Sequence, residues 1–323
     1  MKRLMILFAA LAAVACAKNN VAEDPAPAEQ YLDLTVSDFP ALESATRSGE
    51  TVGKTAWEEG DELLVVFLKS ATEGGSIFDS NAAMTQSFHI ATYDNGGWTL
   101  DPPIAITESD LSNSVLQIEY QQGMKFEVDA DMDVSVRNQN GEEPTDAELI
   151  QSEQLFVYNL VRSMDHTITF SKIVDSNGQL VSSILKRTNR VRICYNDSDP
   201  DTKLDVVKLK PKYADTWTRP ISHSNSSGLA SSTYMSGSAV EIPLDENNEA
   251  IVYLNWRFHN EKPPVLVVTT TFEQDVALPY GENDQVDAPY PFEESGFANP
   301  VVSEDGYEFP YHSNAYAYSV TLN

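Results

Sequence analysis

Cysteine is nearly absent from this chain: Cys16 and Cys194 are the only two among 323 residues. Two cysteines build no disulfide framework and no cysteine-rich zinc site. Positive charge is scarce as well, 21 Lys and Arg against 49 Asp and Glu, which leaves a net charge of −28. A general nucleic-acid binder neutralises phosphate with clustered Lys and Arg, so that class is excluded, and the surplus of acid serves solubility. The five histidines, His89, His166, His223, His259 and His312, stand far apart, and none has a second His or a Cys at i+2 or i+4. Zinc and a His-based triad therefore have no support. No G-x-S-x-G, P-loop or dinucleotide fingerprint occurs, and no motif marks a glycosidase carboxylate pair, so a hydrolase ranks third among the functional readings. A sustained 3.6-residue period is lacking too. What remains is period 2, the signature of strands.

The chain opens with an address. Lys2 and Arg3 precede an uncharged apolar run from Leu4 to Val14, too short to span a bilayer as a mature helix and suited to a signal peptide. Ala13-Val14-Ala15-Cys16 ends that run as a bacterial lipobox does, with cleavage before Cys16 and diacylglycerol on its thiol. Several acyl chains on one terminus, each buried CH₂ worth about 0.8 kcal/mol, would tether the mature chain without a transmembrane helix. With Cys16 lipidated, Cys194 has no partner for an intramolecular disulfide. It is expected to be a buried free thiol on a strand.

Asn19 to Glu29 is a polar, proline-containing tether. Tyr31 to Val36 then alternates, Leu32, Leu34 and Val36 against Asp33 and Thr35, a first strand with one buried side. The turn Glu58-Glu59-Gly60-Asp61 leads into Leu63 to Leu68, an unbroken apolar run that predicts a strand covered on both faces. Phe126 to Val136 reads as one long strand whose solvent face carries Asp129, Asp131 and Asp133. That alternation explains the aspartates better than calcium does, because an EF-hand loop would need Gly and Glu where Val134 and Asn140 stand. Asn196 to Asp201 is a solvated turn, Asp146 to Gln154 a turn of helix. Ser222 to Ser238 reads as a Ser/Gly-rich loop, and Glu273 to Ser313 as a long irregular one that packs its own aromatics or presents a binding surface. These signals predict an all-β chain of two antiparallel sandwiches. The expected divisions are residues 1–15 signal peptide, 16–30 lipidated tether, 31–150 N-terminal sandwich and 151–323 C-terminal sandwich.

Thr46, Arg47, Trp57, Gly60, Asp61, Leu63 and Val65 fill a pattern of TR loop followed by W-x-x-G-D-x-(I/L)-x-V strand, behind a lipoprotein signal and a first strand. In this the chain resembles the fimbrillin-like proteins of Bacteroidales-type bacteria. Ile184 to Ile193 is similar to the strand that opens the second domain of type V pilins. The resemblance implies two tandem transthyretin-like antiparallel β-sandwich domains and a structural subunit, anchor or accessory tip of a pilus that serves adhesion, without catalysis, cofactor or metal. It implies that a trypsin-like protease cuts after Arg47, that the first strand leaves, and that a strand of the next subunit fills its groove. Tyr316, Tyr318, Val320 and Leu322 alternate with small and polar residues as a donor strand requires, and equally as the last strand of their own domain. The implied partners are other pilus subunits by strand exchange, the outer membrane through the lipid, and a host or bacterial surface receptor or glycan, at the cell surface or in the fimbrium. The alternative is a carbohydrate-binding outer-membrane lipoprotein, with Trp98 or Trp217 and the loop from Glu273 exposed to glycan; Trp57 and Trp256 suit core roles. Replacement of the lipidated residue separates anchored from free protein: incorporation of a palmitate analogue is expected in the natural chain and lost in Cys16→Ser, and labelling that persists would contradict the anchor.

Overall fold

The structure is a computed structural model that describes residues 30–40, 42–44, 51–71, 84–171, 173–177, 180–195, 204–212, 217–218, 239–256, 265–277 and 316–322. Its N-terminal half begins with β1 (Gln30–Tyr31), β2 (Asp33–Val36), β3 (Leu42–Ser44) and β4 (Thr51–Val52). β5 (Glu62–Ser70), β6 (Met84–Asp94), β7 (Gly97–Asp101), β8 (Ala105–Ile106), β9 (Ser114–Gln121), β10 (Lys125–Val128) and β11 (Val134–Arg137) follow. A single described α-helix, α1 (Asp146–Ile150), precedes β12 (Gln154–Leu160), β13 (Asp165–Ile168), β14 (Ile173–Val174) and β15 (Leu180–Arg187). Its start is sharp because Thr145 accepts from the Glu148 amide while the Glu148 carboxylate reaches back to the Thr145 amide, a capping box.

Seven of these strands form one antiparallel sheet in the order β14-β15-β12-β9-β5-β6-β7. The uninterrupted apolar run of β5 is explained by its place there: Leu63, Val65 and Phe67 face one core together with Leu116, Ile118 and Tyr120, whereas Leu64, Val66 and Leu68 face a smaller second layer. That second layer is the β10–β11 hairpin, whose Phe126 and Val134 cover the sheet. The aspartates therefore do not line the solvent face of one long strand. They form the turn of this hairpin, in which the Asp129 carboxylate accepts the amides of Asp131 and Asp133, and Met132 takes a φ of 66°. Asp accepts its neighbours' amides so readily that the strand is broken in the middle of a regular alternation.

The C-terminal half contains β16 (Asn189–Tyr195), β17 (Val206–Pro211), β18 (Trp217–Thr218), β19 (Val240–Pro243), β20 (Glu249–Trp256), β21 (Val265–Thr269), β22 (Glu273–Ala277) and β23 (Tyr316–Leu322). A six-stranded sheet, β18-β20-β16-β23-β3-β4, faces the four-stranded sheet β19-β17-β21-β22. Val191, Ile193, Val252, Leu254 and Leu322 of the first meet Val207, Leu209, Ile242, Leu266 and Val268 of the second in one buried core. Ile150 of α1 joins that core. The outward face of the smaller sheet is laced by Lys208–Glu241, Lys210–Glu273 and Lys212–Asp275. Exposed pairs of this kind add little stability, but the carboxylates of Glu273 and Asp275 do discourage pairing at the edge strand β22.

Three expectations change. The chain passes from the seven-stranded sheet to the six-stranded one between β15 and β16, at Thr188, so the sheets do not divide at residue 150. The segment Ile184 to Ile193 is accordingly two strands in two sheets. The stretch from Glu273 begins with β22, and residues 278–315 of the expected irregular loop lie outside the described residues, as do the loops from Ser222 and Asn196. The sheets are antiparallel apart from three pairs, β2–β13, β16–β23 and β23–β3. In all three a long stretch of chain lies between the partners, as a parallel pair requires, because strands that run the same way cannot be joined by a tight hairpin.

Candidate functional site

The first strand is held differently from every strand of the large sheets. At its start, Gln30 and Tyr31 pair antiparallel with Ile106 and Ala105, and the Leu32 amide donates to the Ile104 carbonyl at 2.9 Å. At Asp33 the ladder changes sides: that amide donates to the Met164 carbonyl at 2.9 Å, and Asp33 to Val36 run parallel to Asp165 to Ile168. The Ser37 amide closes the ladder on the Ile168 carbonyl, also at 2.9 Å. One extended segment thus bridges β8 and β13, with Leu32 buried and Leu34 and Val36 half-buried against the large core. On its outer side Thr35 and Thr167 hydroxyls hydrogen-bond at 2.8 Å.

Beyond the strand, Phe39 enters an aromatic enclosure. Its ring meets Trp57 edge-on with centroids 4.8 Å apart and Tyr120 at 5.7 Å; Trp57 in turn packs against Tyr120, Trp98 and Phe170. The Trp57 indole N–H donates to the Ser37 carbonyl at 2.8 Å, tying the segment to the turn that follows β4. Aromatic edges on faces add about 0.5–1.5 kcal/mol per pair to the area they bury.

That enclosure rests on a buried ion pair. Lys54 and Asp61, with side chains 3% and 7% exposed, meet at 2.8 Å. Asp61 owes its position to the tight turn that Gly60 permits at a φ of 85°. Its carboxylate also accepts the Glu58 amide at 2.7 Å and the Tyr120 hydroxyl at 3.1 Å. Burial and the neighbouring Asp61 charge push the Tyr120 phenol above its ordinary pKa, so it remains a donor. Lys54 reaches the exposed Glu58 at 2.8 Å and stands 5.8 Å from the Phe39 ring centroid. The sequence marks Trp57, Gly60 and Asp61 as a motif. Lys54, Phe39 and Tyr120 carry no signal there short of their burial.

The other expected sites are scattered. Cys16 and Arg47 lie outside the described residues, as do His223, His259 and His312. Tyr316, Tyr318, Val320 and Leu322 belong to β23, which lies between β16 and β3 in the chain's own sheet, with Leu322 buried. β3 precedes Arg47, so the N-terminal segment borders both the large core and β23. Cys194 is half-buried instead of buried; desolvation and the carboxylate of Glu249, 3.8 Å from its sulfur, raise the thiol pKa. Trp98 is half-buried and meets Trp57 edge-on, so these two form no flat platform for a sugar ring. Trp217 and Trp256 are register partners on β18 and β20. His89 is spent on the Pro102 carbonyl and the Ser87 hydroxyl, both at 2.7 Å. Among the described residues no cluster of three or more His, Cys, Asp or Glu is arranged to hold a metal ion.

No protein-family description and no curated protein matches the sequence. Among solved structures, a point mutant of the shaft pilin SpaA of Lactobacillus rhamnosus GG aligns over 91% of this chain and 97% of its own at 11% identity, with a TM-score of 0.29. So loose a superposition carries no argument about fold or function.

Two outcomes follow from the geometry. Asp61→Ala leaves the Lys54 charge buried and the Tyr120 hydroxyl unpaired, and is expected to cost about 3–5 kcal/mol in urea unfolding; a cost near zero would contradict the role of the pair. His166, the register partner of Leu34, has its pKa lowered to about 4 by burial. Because the unfolded chain binds that proton below about pH 6.5 and the folded chain only near pH 4, stability is complete above 6.5 and declines as pH falls from there to 4. His166→Phe should flatten that slope in pH-dependent unfolding, and an unchanged slope would show that the ring is not the group responsible.

Proposed function

We propose that this chain is a non-enzymatic, lipid-anchored outer-membrane protein of the cell surface, a component of a pilus whose subunits join by strand exchange. The observation that carries the reading is the seat of the first strand, which touches one neighbour at a time and is followed by a connection between β3 and β4 that contains Arg47. A cut after Arg47 would separate β1, β2, β3 and Phe39 from the rest of the chain. The aliphatic side chains of the first strand, each worth roughly 1.5–3 kcal/mol if fully buried, would leave behind an apolar slot short of several kcal/mol. Backbone groups of Ile104, Met164 and Ile168 would lose their partners with it. A strand from another polypeptide restores both.

The same cut would take β3 from β23 and leave that strand paired with β16 alone. In this reading the N-terminal segment covers the acceptor slot and borders the candidate donor, so a single proteolytic event opens the first and loosens the second. Adhesion to a receptor or glycan would fall to the assembled surface. Lipidation at Cys16 and cleavage at Arg47 complete the proposal.

Treatment of purified protein with an arginine-specific protease is expected to yield a fragment beginning at Ser48 and ordered multimers by size-exclusion chromatography and electron microscopy. Arg47→Ala and a chain ending at Asn314 are expected to yield neither ladder nor fibre. Cut protein that stays monomeric and folded would contradict polymerisation.

A further inference from the structure

We infer that the cavity filled by Phe39 is the specificity pocket of the strand slot, and that it selects a partner strand carrying an aromatic residue three positions beyond its last aliphatic anchor. The inference rests on the strand-exchange reading above and adds to it the chemistry of the incoming strand. The present occupant supplies the template. Leu32, Leu34 and Val36 are spaced by two and lie along the core, whereas Phe39 follows Val36 by three and enters an aromatic corner of the same core at 5% exposure. Period 2 alone would have put position 38 or 40 on that side; the strand ends at Val36, and the chain beyond it turns to bring Phe39 into the aromatic corner.

Three features make that site selective. The ring is gripped edge-to-face by Trp57 and Tyr120, an arrangement that an aliphatic side chain cannot reproduce. The Lys54 ammonium, 5.8 Å from the ring centroid and already engaged by Asp61, is attracted to a π face and repels Lys or Arg at this position. Finally, Trp57 N–H needs a backbone carbonyl two residues before the aromatic, the part now played by Ser37. An incoming strand that fills only the aliphatic positions leaves the indole N–H without its acceptor and the buried ion pair without its cover. The C-terminal strand of a second copy presents Tyr316, Tyr318, Val320 and Leu322 at a uniform spacing of two. Within Tyr316 to Leu322 no aromatic stands at the offset position, so a second copy's strand fills the aliphatic positions and leaves the enclosure open. It assembles as a weaker occupant than a strand of another polypeptide that carries the offset aromatic.

The test uses the full chain nicked at Arg47, with its N-terminal piece still bound, and measures how well unlabelled peptides displace a fluorescent peptide of residues 30–47. The native sequence is expected to exchange in. The Phe39→Ala peptide should compete roughly 100-fold or more weakly, in line with the loss of a buried Phe, and Phe39→Leu about tenfold weakly, while Thr35→Ala on the outer side should compete within about twofold. A peptide of residues 314–323 should do no better than Phe39→Ala. Equal competition by native and Phe39→Ala peptides, or by the C-terminal peptide, would overturn the pocket and leave strand exchange standing. If no peptide exchanges, the native one included, the exchangeable strand itself is refuted and the pocket falls with it.

Discussion

The buried contact between Lys54 and Asp61 organises the N-terminal half. Taking both charges out of water is costly, and the Coulomb attraction repays that cost only where other hydrogen bonds satisfy the remaining lone pairs. Here the Glu58 amide and the Tyr120 hydroxyl do so. The result is less a source of net stability than of position: the pair fixes the turn before β5, holds Tyr120 on β9, and thereby sets the walls into which Phe39 and Trp57 fit. Remove the pair and the enclosure loses its floor. Retain it and the place where the N-terminal segment ends is determined to within a side chain.

The N-terminal segment stands in a second relation to the fold. The inner strands of the seven-stranded and four-stranded sheets are secured by an antiparallel neighbour on either side, while β1 and β2 share two neighbours end to end, and β3 lies between β23 and β4 in the other sheet. A segment that covers one core and borders the strands of another is poorly placed to be an independent unit and well placed to be a removable one. β2 is less deeply buried than β5 or β9, so its opening should need less than global unfolding.

Much of this is legible in the sequence, for physical reasons that can be stated. Leu32, Leu34 and Val36 betray the first strand because one side of it faces the core. Leu63 to Leu68 betray a doubly covered strand because polar residues would be unsatisfied on either face. Gly60 and Asp61 betray the turn. Partners across space are not legible: nothing in Asp165 to Ile168 announces a parallel neighbour 132 positions earlier, the separation of Thr35 and Thr167. Nor does anything in Tyr316 to Leu322 announce β3. The hairpin at Asp129 escapes a reading by periodicity because local side-chain hydrogen bonds interrupt a strand without altering the spacing of its apolar residues. The division at residue 150 fails because α1 packs in the second core while the strands after it return to the first sheet, so the capped helix marks an excursion and not a boundary.

The central claim is that the first strand is an exchangeable occupant of its slot. The hydroxyls of Thr35 and Thr167 lie 2.8 Å apart across that seat, outside the core, close enough for cysteines at those positions to bridge. In a Cys194→Ser background, Thr35→Cys with Thr167→Cys should form a disulfide that holds the strand in place after cleavage at Arg47. The measurement is assembly of the nicked protein, followed by light scattering before and after reductant. The account predicts a monomer while oxidised and growth of multimers once the bond is reduced; assembly of the oxidised protein at the rate of the natural chain would contradict it.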